Sequence, residues 1–440
     1  MAKIVIYSPH PIAQSMAGPA IRSWEFAKIL TLKHDVVLIS PQTPTIQAEG
    51  FTLISKTDPL IKKILREAHV MVTQTLSFSQ ALKAKYYKIK IIIDAYDPVP
   101  LELLEQFKHD SLEQRHEINV SSISNLIFNF EMAHGIICAS EKQRDLWLGF
   151  LLGQKKITPQ LYDQDHTLRQ LISVVPFGLS NIPAKKTGPG LREKFGFSEQ
   201  DKIVLWGGGI WDWFDPLSLI RAIKLISETR SDIKLVFMAV KSSAVCANPV
   251  KMSEKSIHLA HQLGLLNRLV FFNEGWVPYE ERQNMLLEAH IGASTHFDHL
   301  ETRFSFRTRL LDYIWAELPI LATTGDTFAE WIDKEGLGCV VPYQDVPALA
   351  KAILSIIDDP TTTMKMKANL ARIREQFYWE SVTKPLLDMI DLHASQTDKI
   401  RWNYRDTSAF FSYIYTKVKE KGVRACLRKI FTNNSKAKVT

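Results

Sequence analysis

Short runs of apolar residues alternate with longer segments of helical periodicity along the first half of the chain. The run KIVIYS at residues 3–8 predicts a strand, a loop follows at 9–19, and residues 20–32 carry an apolar helical face. Further strands are predicted at 36–40, 70–73, 89–94, 135–139 and 173–176. Apolar strands that alternate with helices predict a parallel sheet covered by helices on both faces.

The same alternation restarts after a segment rich in Pro and Gly, NIPAKKTGPG at residues 181–190. Strands are predicted at 203–206, 235–239, 269–272, 291–294, 320–323 and 339–341, with helices such as 217–228 and 279–288 between them. The pattern predicts an α/β fold with two doubly wound, Rossmann-like domains, at residues 1–183 and 191–376. Because ligands of such sheets bind beyond the carboxyl ends of the strands, we expect the site in the cleft between the domains.

Composition narrows the class of protein. The 440 residues are 46% hydrophobic and 23% charged, as in ordinary globular proteins. No run of 18 uncharged apolar residues predicts a transmembrane helix, and the first residues lack the apolar core of a signal peptide. The cysteines, Cys138, Cys246, Cys339 and Cys426, have neither disulfide-framework nor zinc spacing, so we expect a reducing, cytoplasmic compartment.

The net charge of +7 is concentrated at one end of the chain. Residues 398–440 hold 11 Lys and Arg against 3 Asp and Glu, which leaves a net charge of −1 for residues 1–397. A nearly neutral body argues against nucleic-acid binding. In the tail, aromatic and aliphatic side chains between residues 410 and 431 interleave with basic ones, which predicts peripheral attachment to an anionic membrane surface through residues 400–440. A terminal helix packed on the body is the alternative interpretation.

Two glycine-bearing loops follow the first predicted strand of each half. In AGPAIR, residues 17–22, Gly18 opens a helix, whose first amides favour an anion. In WGGGIWDW, residues 206–213, Gly208 and Gly209 let the backbone bend tightly or approach a ligand. Neither loop has the spacing of a nicotinamide-binding fingerprint. For both, a structural turn is the alternative.

Two further segments follow strands and offer polar groups. DAYDP places Asp94 and Asp97 at the end of a strand, where a carboxylate can orient or deprotonate a hydroxyl, although helix capping is an alternative. The backbone of GWVP, residues 275–278, could meet the edge of a planar base, although a structural loop is the favoured alternative.

The most informative segment is ETRFSFRTRLLDYIWAELPIL, residues 301–321. Glu301, Arg303, Arg307 and Arg309 enter a helix that contains Asp312, where an α/β domain can bind an anion with cationic side chains. The alternative is a solvated, salt-bridged start of a helix. His296 and His299, just upstream, lack a partner pair with zinc spacing, so no metal site is predicted.

Taken together and in this order, these segments resemble a GT-B glycosyltransferase, most closely the retaining family 4 group, over roughly residues 1–390. ICASEKQRD at 137–145 and VPFGLS at 175–180 add to the resemblance. It implies two Rossmann-like domains facing across a cleft, the first for the acceptor and the second for a nucleoside-diphosphate sugar donor. The YWE motif at 378–380 resembles the point where a crossover helix, residues 377–397, packs back on the first domain, before the tail at 398–440.

The resemblance also implies roles for individual residues. Gly208 and Gly209 would let the backbone approach the donor diphosphate, with Gly18 closing on it from the first domain. The Val277 backbone would face the base.

Two acids complete the implied donor site. Asp312 takes the place of the second acid of the family's E-x7-E pair and would bind the ribose, while Glu301 would lie near the donor sugar. Glu301 and Asp312 are 11 positions apart rather than eight, so Phe304 occupies the strict position of the first acid.

The basic residues that the family carries after its glycine loop are also missing. Their positions are held here by Gly209 and Phe214. We therefore expect Arg307 and Arg309, with Arg303 as a third candidate, to neutralise the departing diphosphate.

The resemblance implies a glycosyltransferase that moves a hexosyl unit to a glycan or lipid-linked acceptor, with retention, in surface polysaccharide or glycoconjugate synthesis. Asp97 would orient the acceptor; if the enzyme inverts, Asp97 or Asp94 is the candidate base. No cofactor or metal is expected beyond the donor itself. A sugar-nucleotide epimerase or phosphorylase-like enzyme, and a non-catalytic scaffold with the same fold, are the alternatives.

Overall fold

The computed structural model describes residues 1–239, 251–275, 277–396 and 404–421. The chain forms two compact units. Unit 1 consists of residues 1–9, 27–175 and 385–440, and unit 2 consists of residues 10–26 and 176–384. Residues 10–26 and 176–183 were expected in the first domain, whereas their contacts place them in unit 2.

Unit 1 is built on a sheet of seven parallel strands in the order β3-β2-β1-β4-β5-β6-β7. The strands are β1 Lys3–Tyr7, β2 Asp35–Ser40, β3 Thr52–Ser55, β4 Val70–Thr73, β5 Lys90–Asp94, β6 Gly135–Cys138 and β7 Ile172–Val174. In β1, Lys3 pairs with Asp35 on one side, and Ile4 pairs with Val70 on the other. All residues of β4, β5 and β6 are buried, as expected for a parallel sheet with helices on both faces.

Seven helices precede the last strand of this sheet in the chain, and the first of them, α1, begins within the residues of unit 2. They are α1 Gly18–Leu30, α2 Ile61–Glu67, α3 Phe78–Tyr87, α4 Val99–Gln106, α5 Leu112–Met132, α6 Glu141–Gly153 and α7 Pro159–Gln164. α3 begins with a capping box, in which Ser77 accepts from the Gln80 backbone and Gln80 accepts from the Ser77 backbone. Ser140 caps α6 through the Gln143 amide. These caps satisfy amides that have no partner within the helix.

Unit 2 repeats the architecture with six parallel strands in the order β10-β9-β8-β11-β12-β13. The strands are β8 Lys202–Trp206, β9 Ile233–Phe237, β10 Val270–Phe272, β11 Ile291–Ser294, β12 Ile320–Thr323 and β13 Gly338–Val341. The helices are α8 Leu191–Phe195, α9 Pro216–Ile226, α10 Lys251–Gln262, α11 Arg282–Leu286, α12 Leu300–Phe304, α13 Thr308–Trp315, α14 Thr327–Glu335, α15 Val346–Asp358, α16 Pro360–Ile373 and α17 Trp379–Val382, with 3-10 turns at Tyr279–Glu281 and Arg374–Phe377. The prediction of two doubly wound parallel sheets is confirmed.

Two details differ from the predicted elements. β3 was not predicted; it is an edge strand with only one buried residue, Ile54, so it lacks the apolar run that identified the other strands. The segment at residues 181–190, expected as a linker, is bound to unit 2, because Asn284 Oδ1 accepts from the amides of Thr187 (2.7 Å) and Gly188 (3.2 Å).

Two C-terminal helices, α18 Lys384–Ser395 and α19 Tyr404–Lys421, complete the described chain. α18 lies close to β6, since a Cβ on Gly135 would fall 2.4 Å from Met389 Sδ. α19 packs on α5, where the ring of Tyr413 stacks on Phe128 with centroids 4.5 Å apart. Residues 404–421 thus fit the alternative interpretation of the tail, a terminal helix packed on the body. Residues 397–403 and 422–440 lie outside the described residues, and no described helix is long and apolar enough to cross a membrane.

Candidate active site

The glycine loop that follows β8, residues 207–209, is fixed by a hydrogen bond to a tyrosine. The Gly207 amide donates to the Tyr313 hydroxyl oxygen (2.7 Å), and that hydroxyl lies 2.9 Å from the Ala293 carbonyl and 3.1 Å from the Leu205 carbonyl. A Cβ on Gly292 would fall 2.5 Å from the Tyr313 ring, so glycine is required there for the ring to reach the loop. Burial raises the pKa of Tyr313 to about 12, which keeps its donor proton in place.

Gly208 gives the loop its turn. Its φ of 77° lies in the left-handed region, which a residue with a Cβ adopts only with strain. A Cβ at this position would meet no atom within 4 Å, so the constraint at Gly208 is the backbone conformation. The Trp206 indole, buried beneath the loop, donates to the Gly209 carbonyl at 3.3 Å.

Arg309, near the start of α13, contacts the same loop. Its Nη2 donates to the Gly209 carbonyl at 2.8 Å, and its guanidinium lies 4.5 Å from the Trp206 ring and 4.2 Å from the Phe214 ring. The side chain is buried, its Nη1 has no hydrogen-bond partner in the described part of the chain, and none of the ion pairs found there includes it. Burial lowers the pKa of Arg309 to about 10, as expected for a cation without a counter-ion.

Arg307 has the opposite environment. Its Nη1 and Nη2 donate to Glu301 Oε1 (2.9 Å) and Oε2 (2.7 Å), which forms a two-bond ion pair with both side chains buried. The Ser305 hydroxyl also donates to Glu301 Oε1, and His299 Nδ1 lies 3.6 Å from Oε2. Both oxygens of Glu301 are therefore engaged within the protein.

A second buried network centres on His296. His296 is fully buried, with Nε2 at 3.2 Å from Asp326 Oδ2 and Nδ1 at 2.9 Å from Thr323 Oγ1. Burial lowers the pKa of His296, more than the neighbouring Asp326 raises it. Asp326 also caps α14 by accepting from the Ala329 amide at 2.7 Å. The sequence analysis found no role for His296, and the structure shows that it ties the strand ends β11 and β12 to α14.

Comparison with known proteins decides the family of this unit. Residues 201–359 match the family model described as glycosyl transferases group 1. Unit 2 carries a group 1 glycosyltransferase domain. The predicted resemblance to a group 1 glycosyltransferase is thereby confirmed. No curated protein matches the chain by sequence.

Solved structures extend the structural similarity to most of the chain. Sucrose-phosphate synthase from Thermosynechococcus elongatus is 15% identical with a TM-score of 0.61, and covers 90% of this chain and 100% of its own. Anabaena HepE, solved with UDP-glucose, has 15% identity and a TM-score of 0.59, with 90% and 100% covered. WaaG, a glycosyltransferase of lipopolysaccharide biosynthesis, has 15% identity and a TM-score of 0.58 with the same coverage. At this identity the likeness shows the fold, and the predicted GT-B class is confirmed.

Asp312 lies beside an arginine, Arg282, that was not predicted as a site residue. Arg282 Nε donates to Asp312 Oδ1 at 2.9 Å, and its guanidinium lies 3.8 Å from the Tyr279 ring and 4.4 Å from the Trp315 ring. The Asp312 side chain remains 32% exposed, so it is accessible to a ligand. Arg282 was predicted only as part of a helix, because nothing in the sequence signals that it meets a residue 30 positions later.

The remaining predicted donor residues are dispersed over unit 2. Arg303 is exposed, with its guanidinium 5.6 Å from the Phe304 ring. Val277 is half-buried and follows Trp276, which lies outside the described residues. Gly18 is the first residue of α1, where the Ala17 carbonyl accepts from the amides of Ala20 (2.9 Å) and Ile21 (3.0 Å). Those two amides are therefore already engaged.

Asp97 belongs to unit 1. It follows β5 and lines a cavity there, together with the buried Asp94. The N-cap residue of α4 is Pro98, the neighbour of Asp97. Within the described ranges, no group of three or more His, Cys, Asp and Glu side chains is arranged to hold a metal ion.

Proposed function

We propose that the protein transfers a hexosyl unit from a nucleoside-diphosphate sugar to a glycan or lipid-linked acceptor, with retention of anomeric configuration. The observation that carries this proposal is Arg309, a buried arginine with an unpaired Nη1 beside the Gly207–Gly209 turn. A buried cation without a counter-ion is costly, and a bound anion would offset that cost. The donor diphosphate supplies such an anion.

The diphosphate also explains why the loop is built from glycines. The turn at Gly208 has no side chain, so the oxygens of a diphosphate can approach its backbone amides closely. Arg309 donates a hydrogen bond to the Gly209 carbonyl, which fixes the loop before the ligand binds. Donors that are positioned in advance stabilise the negative charge that develops as the glycosidic bond to the diphosphate breaks.

The nucleoside is assigned to the other end of the unit 2 site. Asp312 binds the ribose hydroxyls, with Arg282 orienting its carboxylate through Oδ1. The Val277 backbone faces the base. A UDP-sugar is a candidate donor, since a structure of HepE contains UDP-glucose.

The chemistry requires no separate protein base. As the bond between the anomeric carbon and the diphosphate oxygen breaks, the acceptor hydroxyl attacks from the same face and its proton passes to that oxygen. Asp97 orients the acceptor, and Arg309 balances the charge of the diphosphate in place of a divalent metal. The Glu301–Arg307 pair supports the backbone between α12 and α13. Synthesis of a surface polysaccharide or glycoconjugate is the proposed setting, in line with the description of WaaG.

The proposal is tested with a thermal-shift panel of UDP-, GDP- and dTDP-sugars, followed by NMR of the product. One nucleotide series is expected to stabilise the protein, and the new glycosidic bond is expected to keep the anomeric configuration of the donor. Absence of stabilisation by every nucleotide sugar would contradict the proposed function. Loss of activity in EDTA would contradict the metal-free diphosphate site.

Attachment to an anionic membrane surface through the basic tail belongs to the same proposal. In support, Phe411 and Tyr415 on α19 are exposed, and residues 422–440 add five basic side chains and no acidic one. Each basic residue near such a surface contributes up to ~1 kcal/mol. Deletion of residues 422–440 is expected to abolish sedimentation with phosphatidylglycerol vesicles, with phosphatidylcholine vesicles as the control. Unchanged sedimentation would contradict the attachment.

A further inference from the structure

A cavity of about 590 Å³ opens in unit 1 beyond the carboxyl end of β5. The segment from Asp94 to Asp97 forms one side, α4 and α5 form two others, and Tyr413 of α19 closes part of the fourth. Its volume lies within the range of small-molecule sites, which is about 300–1,000 Å³.

The polar groups of this cavity are acidic or neutral. Asp94, Asp97 and Glu117 supply carboxyl groups, and Gln74 and Asn125 supply amides. Among the described residues that line it, none is Lys, Arg or His. A phosphate or carboxylate would be repelled by these side chains, whereas sugar hydroxyls can donate to the carboxylates and exchange hydrogen bonds with the amides.

The opposing walls are apolar. Val99 and Leu103 come from α4, Ile118 and Leu126 from α5, and the Tyr413 ring from α19. Such surfaces suit the C–H faces of a sugar ring or an apolar group attached to it. The cavity is therefore amphiphilic, with hydroxyl-binding groups on one side and apolar area on the other.

The segment that carries the two aspartates is held rigidly. Gln143 Nε2 donates to the Tyr96 carbonyl at 2.7 Å, and the Trp147 indole donates to the Ala95 carbonyl at 3.1 Å. Asn129 Oδ1 accepts from the Leu76 amide at 2.6 Å and fixes the neighbouring strand end. Polar groups fixed before binding lose little entropy when a ligand arrives.

α19 is anchored as a wall of the cavity. Tyr413 stacks on Phe128 at 4.5 Å between ring centroids, and Thr416 Oγ1 donates to Ser124 Oγ at 3.3 Å. Both partners lie on α5, the helix that forms the adjoining wall. The C-terminal helix thus shapes this cavity from a point far away in the sequence.

We infer that this cavity binds the acceptor as an uncharged glycoside, with sugar hydroxyls at Asp94 and Asp97 and an apolar aglycone against Tyr413 and α5. This inference rests on the proposed function and names the acceptor class for it. The C-terminal helix thereby selects acceptors that carry an apolar group beside the sugar.

The test uses the full chain and four p-nitrophenyl glycosides, of glucose, galactose, mannose and N-acetylglucosamine, with binding followed by saturation-transfer NMR. Ser122→Phe, on the cavity-lining part of α5, fills the cavity, and Val120→Phe on the same helix is the matched control because Val120 does not line it. At least one glycoside is expected to bind. Ser122→Phe should raise its dissociation constant at least tenfold, whereas the dissociation constant for Val120→Phe should stay within twofold of that of the unchanged protein.

A second pair of variants addresses α19. Tyr413→Ala is expected to weaken glycoside binding about as much as Ser122→Phe does, and Tyr413→Phe should restore it. Tyr415→Ala, on the exposed side of the helix, should have no effect on binding. The inference would be overturned by any of three results: competition by glucose 6-phosphate, equal binding by Ser122→Phe and Val120→Phe, or no binding of any glycoside.

Donor binding in the thermal-shift panel distinguishes a failure of this inference from a failure of the proposed function. Ser122→Phe is expected to leave donor binding unchanged.

Discussion

Arg307 and Arg309 lie two positions apart and enter the same helix, yet their surroundings differ in kind. Arg307 is neutralised by two hydrogen bonds to Glu301, inside a network that includes Ser305 and His299. Arg309 contacts two aromatic rings and one carbonyl oxygen, and its Nη1 remains without a partner in the described chain. The Phe214 ring lies against both guanidinium groups.

The difference separates a structural cation from a ligand-binding one. The charge of Arg307 is already compensated, so a bound anion gains little from it, and its loss would expose Glu301 to an apolar interior. Arg309 is uncompensated, so its charge is available to a diphosphate at the glycine loop. Two arginines that look equivalent in the sequence thus have different proposed roles.

The largest effect is expected when the Glu301–Arg307 pair is broken. Glu301→Ala leaves the Arg307 guanidinium buried without a counter-ion, which should lower the free energy of unfolding by about 3–5 kcal/mol. Urea unfolding followed by tryptophan fluorescence measures it. The double variant Glu301→Leu/Arg307→Met should recover most of the loss, because apolar side chains of similar size can replace a buried pair. If the two changes were additive, the ion pair would not be the cause.

Substitution of Arg309 should affect activity more than stability. Arg309→Met removes an uncompensated charge and one hydrogen bond, so the free energy of unfolding should change by less than about 1.5 kcal/mol. The value of kcat/KM should fall by about 10²–10³, as for other donors to developing charge. Steady-state kinetics with the nucleotide sugar from the panel measures it. A near-normal kcat/KM would show that Arg309 does not contribute to the donor site, and would contradict the proposed difference from Arg307.

Tyr313 tests whether the glycine loop depends on its support. Tyr313→Phe keeps the ring against Gly292 but removes the hydroxyl that accepts from the Gly207 amide. An unsatisfied buried amide costs about 1–3 kcal/mol, and the loop should lose affinity for the diphosphate as well. Titration of the nucleoside diphosphate, measured by calorimetry, should show the weaker binding. Unchanged affinity together with lowered stability would limit Tyr313 to a packing role.

The smallest effect concerns pH and depends on His296, whose charge interacts with Arg307 and Glu301. Burial lowers the pKa of His296, so below about pH 6.5 the unfolded chain takes up a proton that the folded chain does not. Stability should therefore decline as the pH falls from 6.5 toward 5, by at most about 1.4 kcal/mol per pH unit for this one group. His296→Gln should flatten the slope measured by urea unfolding, whereas Arg309→Met should keep it. An unaltered slope in His296→Gln would assign the acid sensitivity to other histidines.

Much of the fold could be predicted from local patterns. Twelve strands were predicted from apolar runs, and each corresponds to an observed strand with shifts of a few residues at the ends. β3 was not predicted, because an edge strand needs fewer apolar residues than a central strand. The candidate site was predicted less well. Arg282 has no local signal. The family resemblance placed Glu301 near the donor sugar although its spacing departs from the family pattern, and in the structure both of its oxygens are engaged with Arg307 and Ser305.

The sequence by itself determined the alternation of strands and helices, the glycine turn after β8 and the supply of cations at the start of α13. These are local properties, set by side-chain periodicity and by the φ values that glycine allows. Only the tertiary structure decided which arginine is paired, that Tyr313 supports Gly207, and that Tyr413 completes a cavity beside Asp97. Each of these depends on distances between residues remote in the chain, and burial then fixes whether a charge is compensated or left for a ligand.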